Sequence, residues 1–301
     1  MKLGVSALRI TNHFIPLTLI LSVAVFAVGG CGGGKGEPIT IGSANFSENV
    51  LLAYIYSDAL EAAGYKTIVE PNVGSRETLF PALEDGRIDM APEYAGSLLD
   101  YLDPTSTAHE TNAVLAELRD SLPPGLTILK ASTAENKDVN VVTSQFAREH
   151  KLKTVGDLAN VDVPLIFGAP PESKDRRAGL LGLTSVYGLH IAGFKTLDGG
   201  GPLTVAALKN GDVQVAQMFS TQPAIMENQL VVLEDPLNMS TAENVVPVVR
   251  EAVLTPELEA VIDKVTSSLS TDILVRLNTM VEVDKRDPQK VAKEYVESLD
   301  L

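Results

Sequence analysis

Short apolar runs alternate with helical patterns in the first third of the chain. Three of these runs are typical of short strands: PITIG (38–42), KTIVE (66–70) and RIDMA (87–91). Between the first two runs, apolar residues recur at helical spacing, at Val50, Leu51, Ile55 and Leu60. A second helix carrying Leu79 and Leu83 is predicted before the third run. Gly64 and Gly86 are expected to end the two helices.

The same order of elements returns between residues 163 and 222. VPLIFG (163–168) is predicted as a strand, GLTSVYGL (182–189) as a helix, and KTLDGGG (195–201) as a strand followed by a glycine turn. A further helix should reach Leu208 and end at Gly211, before a third strand. The sequence therefore predicts two similar α/β lobes with parallel strands joined by right-handed crossovers.

One segment of this pattern is repeated without a gap. LEDGRIDMAPEYAGS (83–97) aligns with LKNGDVQVAQMFSTQ (208–222), and Tyr94 falls on Phe219. Ligands on parallel sheets bind beyond the carboxyl ends of the strands, which is where both rings are expected. Two such sheet edges facing each other would form a cleft. Alternatively, the repeat reflects only the sequence pattern that strand–helix–strand units commonly share, and both rings pack against residues of their own lobe.

Two strand-like segments should connect the lobes, one within residues 127–143 and one within 244–250. The predicted first lobe comprises residues 38–132 plus 249–301, and the predicted second lobe comprises 133–248. Two helices near the C-terminus are expected to return to the first lobe, and Thr255 and Asp287 are their predicted N-caps. Two crossings make a hinge, which suggests an α/β receptor whose interlobe cleft closes on a ligand.

The N-terminus has the pattern of an export signal. Residues 1–30 contain Lys2 and Arg9 but no acidic residue. Their apolar run is shorter than a typical transmembrane helix, as in a secretory signal. VGGC (28–31) places small residues before the only cysteine and resembles the lipobox of bacterial lipoproteins. Cys31 is therefore the predicted lipid attachment site, residues 31–37 a flexible tether, and the protein extracytoplasmic and membrane-anchored. The alternative is an ordinary signal with an incidental cysteine.

Composition narrows the possible functions. The net charge of −15 disfavours nucleic acid as a partner. GGCGGGKG (29–36) approaches a phosphate-binding loop, but Gly36 stands where Ser or Thr should hold a metal. The histidines are scattered, and no zinc-hydrolase or serine-nucleophile motif is present. We therefore predict a binding protein without cofactor, metal or catalytic residues, although dispersed carboxylates leave an enzyme possible.

Several segments together resemble the substrate-binding proteins of ABC importers for glycine betaine, choline and carnitine. The similarity spans essentially the whole chain after the signal. It is carried by IGSANFSE (41–48), GRIDMAPEYAGSLLDYL (86–102), the APPES…R segment (169–176), VYGL (186–189), LKNGDVQVAQMFSTQ (208–222), LEDP (233–236) and PVVR (247–250). The resemblance implies a monomeric, two-lobed periplasmic-binding-protein fold. It also implies a small-molecule solute, and a permease with a cytoplasmic ATPase as partner.

The resemblance also implies a ligand site. In relatives, tyrosines cage a quaternary ammonium group and an arginine with backbone donors takes the carboxylate. The positions of four cage tyrosines fall on Tyr94, Asp138, Phe219 and Glu243. Ser97 replaces a nearby threonine, and Arg176 matches the arginine. The predicted ligand-binding set is completed by two residues of the matched segments, Asn45 and Gln222.

This chain departs from the family pattern by placing carboxylates at two cage positions. Buried carboxylates beside aromatic rings are costly unless a cation or Arg176 compensates them. Either Asp138 and Glu243 help to hold a cation, or the site serves a different solute, or both acids are solvated at the cleft rim. The alternative functions are transport of another small ligand, such as a different cation or an aromatic or polyhydroxylated compound, and sensing by a solute-binding lipoprotein.

Overall fold

The computed structural model describes residues 35–299, so the predicted signal peptide and Cys31 lie outside the described part of the chain. Its strands are β1 Lys35–Ala44, β2 Tyr65–Gly74, β3 Met90–Tyr94, β4 Leu126–Ile128, β5 Asp138–Thr143, β6 Ile166–Ala169, β7 Gly193–Thr196, β8 Val215–Phe219, β9 Leu230–Val232 and β10 Val245–Arg250. Its helices are α1 Ser47–Ala62, α2 Arg76–Glu84, α3 Ala95–Leu102, α4 Thr111–Ser121, α5 Ser144–His150, α6 Leu180–Ser185, α7 Pro202–Lys209, α8 Pro223–Glu227, α9 Pro256–Ser268, α10 Thr271–Glu282 and α11 Pro288–Glu297. None of these helices is long and apolar enough to cross a bilayer.

The strands form two five-stranded sheets of matching design. The first sheet has the order β2-β1-β3-β10-β4, and the second has the order β7-β6-β8-β5-β9. We call each sheet with its packed helices the first and the second lobe. The two-lobed α/β architecture expected from the repeated pattern is therefore present.

The prediction of parallel sheets is correct for three strands of each sheet and wrong for the others. β1 runs parallel to β2 and β3, and β6 runs parallel to β7 and β8. By contrast, β10 is antiparallel to β3 and β5 is antiparallel to β8. β10 and β5 arrive from the opposite lobe and enter at the carboxyl ends of the parallel strands. They must therefore run in the reverse direction.

The sheets also refine the predicted segment boundaries. β10 pairs with β3 and β4 from Val245 onward, so the first sheet resumes before the predicted boundary between 248 and 249. β1 already begins at Lys35, which is paired with Tyr65, so residues 35–37 of the predicted tether belong to a strand. Strand pairing with a neighbour extends both elements beyond what local composition indicates.

Equivalent glycines end the equivalent helices of the two lobes. Gly86 follows α2 and Gly211 follows α7, and both have φ of 74°. A left-handed residue of this kind turns the chain from the helix into the next strand, and glycine adopts it without the strain of a side chain. The predicted stops are confirmed at both positions.

The helices at the end of the chain pack on the first lobe, as predicted. Buried side chains of α9, α10 and α11 form one apolar cluster with β1 and α1. The two predicted N-caps are confirmed, because Thr255 Oγ1 accepts from the Leu258 amide and Asp287 accepts from the amides of Gln289 and Lys290.

The two segments that connect the lobes run side by side. Glu135 and Asn244 form an isolated antiparallel bridge. The Asn136 amide donates to the Glu243 carbonyl at 3.0 Å, and the Val245 amide donates to the Ala134 carbonyl at 3.0 Å. The crossings are therefore one paired ribbon beneath the cleft.

Candidate functional site

The two aromatic residues of the sequence repeat line the same cavity between the lobes. Tyr94 ends β3 and Phe219 ends β8. The ring of Phe46, at the start of α1, lies between them, with its centroid 5.9 Å from that of Tyr94 and 4.8 Å from that of Phe219. Phe46 was not among the predicted site residues. The three rings form a continuous aromatic wall contributed by both lobes.

Six of the eight predicted ligand-binding residues line this cavity, which has a volume of about 60 Å³. They are Asn45, Tyr94, Ser97, Asp138, Arg176 and Phe219. A larger cavity of about 760 Å³ shares Arg76, Ser97, Asp138 and Arg176 with it. The small cavity is therefore the inner end of a cleft that widens outward.

Gln222 lies behind the aromatic wall. Its amide oxygen accepts from the Phe219 backbone at 3.0 Å, and its amide nitrogen donates to the Gly199 carbonyl at 2.7 Å. Gln222 thus fixes the turn that carries the Phe219 ring and does not line the cavity.

Glu243 also lies one layer behind the cavity, against Ser97. Its carboxyl group accepts from the Ser97 amide at 3.0 Å and from the Ser97 hydroxyl at 2.7 Å, and the residue is only 2% exposed. Burial, reinforced by the charge of Asp138, raises the pKa of Glu243 to about 8. Burial therefore favours the protonated form of Glu243.

Asp138 begins β5 directly opposite Phe219 and faces the cavity. Its carboxylate accepts a hydrogen bond from the Gln217 side chain. Burial raises the pKa of Asp138, while Gln217 and the nearby arginines act in the opposite direction. Of the two acids expected at cage positions, Asp138 is the one that lines this cavity.

A buried ion pair between Arg76 and Glu93 lines the cavity and was missed from the sequence. Arg76 Nε lies 3.0 and 3.1 Å from the two Glu93 oxygens, and Arg76 Nη2 lies 2.7 Å from Oε2. Burial alone would lower the pKa of Arg76, but Glu93 raises it above its ordinary value. Both side chains are largely buried, at 10% and 4% exposure, so the pair is a fixed part of the wall.

Arg176 binds a carboxylate of the opposite lobe. Its Nη2 lies 2.9 Å from both oxygens of Glu77, and its Nε lies 3.2 Å from Oε1. Burial acts to raise the pKa of Glu77, but the Ser75 hydroxyl and the Arg176 guanidinium together lower it. This pair is more exposed than the buried one and joins the two lobes at the mouth of the small cavity.

Glu48, in the first turn of α1, is a buried carboxylate that also links the lobes. Its Oε1 accepts from the Tyr94 hydroxyl at 2.7 Å and from Asn136 Nδ2 at 2.7 Å. Its Oε2 accepts from the Thr221 hydroxyl at 2.6 Å and from Asn278 Nδ2 at 2.6 Å. All four partners donate, and a carboxylate can accept from all of them. Glu48 thereby orients the Tyr94 ring.

The arrangement suits a small cation. Ring faces attract a positive group through their quadrupole. Asp138 and Glu172, which form no ion pair within residues 35–299, add negative charge to the lining. Four donors, one of them the Tyr94 hydroxyl, already hold Glu48 in place, so the orientation of the Tyr94 ring is preorganised.

Comparison with known proteins assigns the chain to a family. Residues 37–298 match the model of the substrate binding domain of ABC-type glycine betaine transport systems. A glycine-betaine-binding protein of Pseudomonas aeruginosa is 28% identical over 302 residues, covering 95% of this chain and 94% of that protein. The glycine betaine-binding protein YehZ of Escherichia coli K12 is 27% identical over 274 residues, covering 86% and 90%.

The fold agrees with this match. A crystal structure of a glycine betaine/carnitine/choline ABC transporter superimposes with a TM-score of 0.69 at 23% identity, covering 86% of this chain and 98% of the other. The family match spans nearly all of the described residues, including both sheets and the cleft. The chain therefore belongs to the family of substrate-binding domains of ABC-type glycine betaine transport systems.

Proposed function

We propose that this protein is the extracytoplasmic solute receptor of an ABC importer and that its ligand is a quaternary ammonium compound. The observation that carries the proposal is the aromatic wall of Phe46, Tyr94 and Phe219 beside the Asp138 carboxylate. A quaternary ammonium group has no N–H to donate. Its main attractive interactions are therefore with ring faces and a nearby negative charge. Each ring face contributes about 0.5–2 kcal/mol of binding free energy.

The receptor closes on its ligand by bending the ribbon formed by the two crossings. Support comes from polar contacts that span the cleft, such as Thr221 to Glu48 and Arg176 to Glu77. A ligand between Tyr94 and Phe219 contacts both lobes, so it favours the closed arrangement. The bound solute is then passed unchanged to a permease driven by a cytoplasmic ATPase.

The lipid anchor is part of the same proposal. Cys31 follows the small residues of VGG (28–30), and only glycines separate it from Lys35, where β1 begins. Acylation adds a membrane anchor that a cleaved signal cannot supply. Cys31→Ser is expected to move the protein from the membrane fraction to the aqueous fraction. Unchanged fractionation of this variant would contradict the anchor.

Calorimetry of the purified receptor tests the ligand class. The titration panel comprises glycine betaine, choline, carnitine, proline betaine, a polyamine and an aromatic solute. The expected result is binding of at least one quaternary ammonium compound and no binding heat from the polyamine or the aromatic solute. Tight binding of the polyamine or the aromatic solute alone would replace the proposed ligand class. Loss of labelled-solute uptake in a deletion strain then separates an importer from a sensor.

A further inference from the structure

Both arginines that line the small cavity are occupied by carboxylates of the protein. Arg76 is held by Glu93 and Arg176 is held by Glu77, each through two guanidinium nitrogens. A ligand carboxylate that entered the cavity would therefore find each guanidinium already paired with a protein carboxylate through Nε and Nη2.

The two pairs differ in how readily they exchange partners. Glu93 is 4% exposed and also accepts from the Tyr94 amide, so freeing Arg76 would strand a buried acid. Glu77 is 43% exposed and lies on the opposite lobe from Arg176. Arg176 is thus the guanidinium that a ligand carboxylate would bind, and Glu77 is its competitor.

The remaining charges of the cavity are negative. Asp138 and Glu172 line it, and neither has a cation within ion-pair distance among residues 35–299. They attract a positive group, and they repel a carboxylate attached to the same ligand.

We propose that Glu77 is a specificity-determining residue that occupies Arg176, so that the site takes quaternary ammonium cations whose other end is uncharged. This inference rests on the proposed function, because it presupposes a quaternary ammonium ligand. A zwitterion must displace Glu77 to pair its carboxylate, whereas a simple cation leaves the Glu77–Arg176 bridge closed above it. The bridge then both joins the lobes and selects the ligand.

Choline and glycine betaine are the matched probes. They share a trimethylammonium head and differ at the other end, a hydroxyl in choline and a carboxylate in glycine betaine. The ratio of their dissociation constants therefore cancels the contribution of the aromatic wall. Calorimetry should show choline binding to the unmodified protein at least about tenfold more tightly.

Glu77→Gln tests the role of the bridge. The variant frees Arg176, so the preference for choline should fall about fivefold or more through tighter binding of glycine betaine. Glu84→Gln is the matched control, because it removes the same charge from an exposed position at the other end of α2. It should change the ratio less than about twofold. In an Arg176→Gln background, Glu77→Gln should change the ratio less than it does when Arg176 is present.

The outcomes are distinct. Equal or tighter binding of glycine betaine by the unmodified protein overturns the inference and leaves the proposed function intact. The inference is also overturned if Glu77→Gln leaves the ratio of the two dissociation constants unchanged. It is overturned as well if Glu84→Gln shifts that ratio as much as Glu77→Gln does. If neither choline, glycine betaine nor tetramethylammonium binds, the proposed function and the inference both fail.

Discussion

Replacing Glu48 by glutamine removes one charge from the contact between the lobes while keeping the size of the side chain. Glu48 is 2% exposed and accepts from Tyr94, Asn136, Thr221 and Asn278. Two donors converge on each oxygen. Glutamine offers one oxygen and one NH₂ group. In either orientation of the amide, the NH₂ group, which is itself a donor, is placed against two donors of the protein.

The cost follows from which donors can adapt. On each side of the carboxylate one partner is a hydroxyl, which can rotate to accept, and the other is an asparagine NH₂ group, whose reversal would disturb its other contacts. One hydrogen bond is thus lost outright and its donor stays buried, while the other three become ordinary neutral bonds. At about 1.5–3 kcal/mol per hydrogen bond to a charged group, we expect a loss of about 2–4 kcal/mol.

Urea unfolding followed by far-ultraviolet circular dichroism measures this loss, since the chain has no tryptophan to report by fluorescence. Tyr94→Phe removes only one donor from Glu48 and should cost less, about 1–2 kcal/mol. Glu84→Gln, on an exposed helix position, should change the free energy of unfolding by less than about 0.5 kcal/mol. A cost below 1 kcal/mol for Glu48→Gln, or one no larger than that of Tyr94→Phe, would refute the reasoning.

Three further predictions follow from the site. Because burial raises the pKa of Glu243 from 4.5 to about 8, its contribution to stability is complete below pH 4.5 and is lost as pH rises to 8. Between pH 5 and 8.5 the free energy of unfolding should therefore fall less in Glu243→Gln than in the unmodified protein, by about 3–5 kcal/mol. Equal falls in the two proteins would contradict the raised pKa of Glu243. Asp138→Asn should weaken choline binding by about 2–5 kcal/mol in calorimetry. This exceeds the effect of Tyr94→Phe, which keeps the ring face, and the reverse order would exclude Asp138 as a cation partner. Small-angle scattering should give a smaller radius of gyration at saturating choline, and identical curves would argue for a rigid cleft.

The repeated pattern was sufficient to predict the lobes because its signals are local. Gly86 and Gly211 end equivalent helices with the same φ of 74°, and the strands after them place Tyr94 and Phe219 at equivalent sheet edges. Helix ends, strand length and side-chain alternation depend on neighbours within a few residues, so a single sequence contains them.

The partners of the charged residues were not predictable in this way. Glu48 sits in the first turn of α1, where an acid is ordinary because it favours the helix dipole. Its four donors come from distant segments of both lobes and meet only after folding. The same holds for Arg176, whose sequence position suggested a ligand carboxylate, whereas the structure pairs it with Glu77. The local sequence pattern does not show how the two lobes pack against each other. That packing decides which charged side chains pair and which remain available to a ligand.

The site and the hinge occupy the same place in the fold, for a topological reason. In the first lobe the returning strand begins at Val245, opposite Tyr94, and in the second lobe the incoming strand begins at Asp138, opposite Phe219. Each aromatic residue therefore ends a parallel strand and also pairs with the first residue of a strand that enters from the other lobe. A cation that contacts both rings and Asp138 touches the two points where the ribbon enters the sheets. In the proposed mechanism, binding and bending are coupled through these backbone pairs, with no long chain of side chains between them.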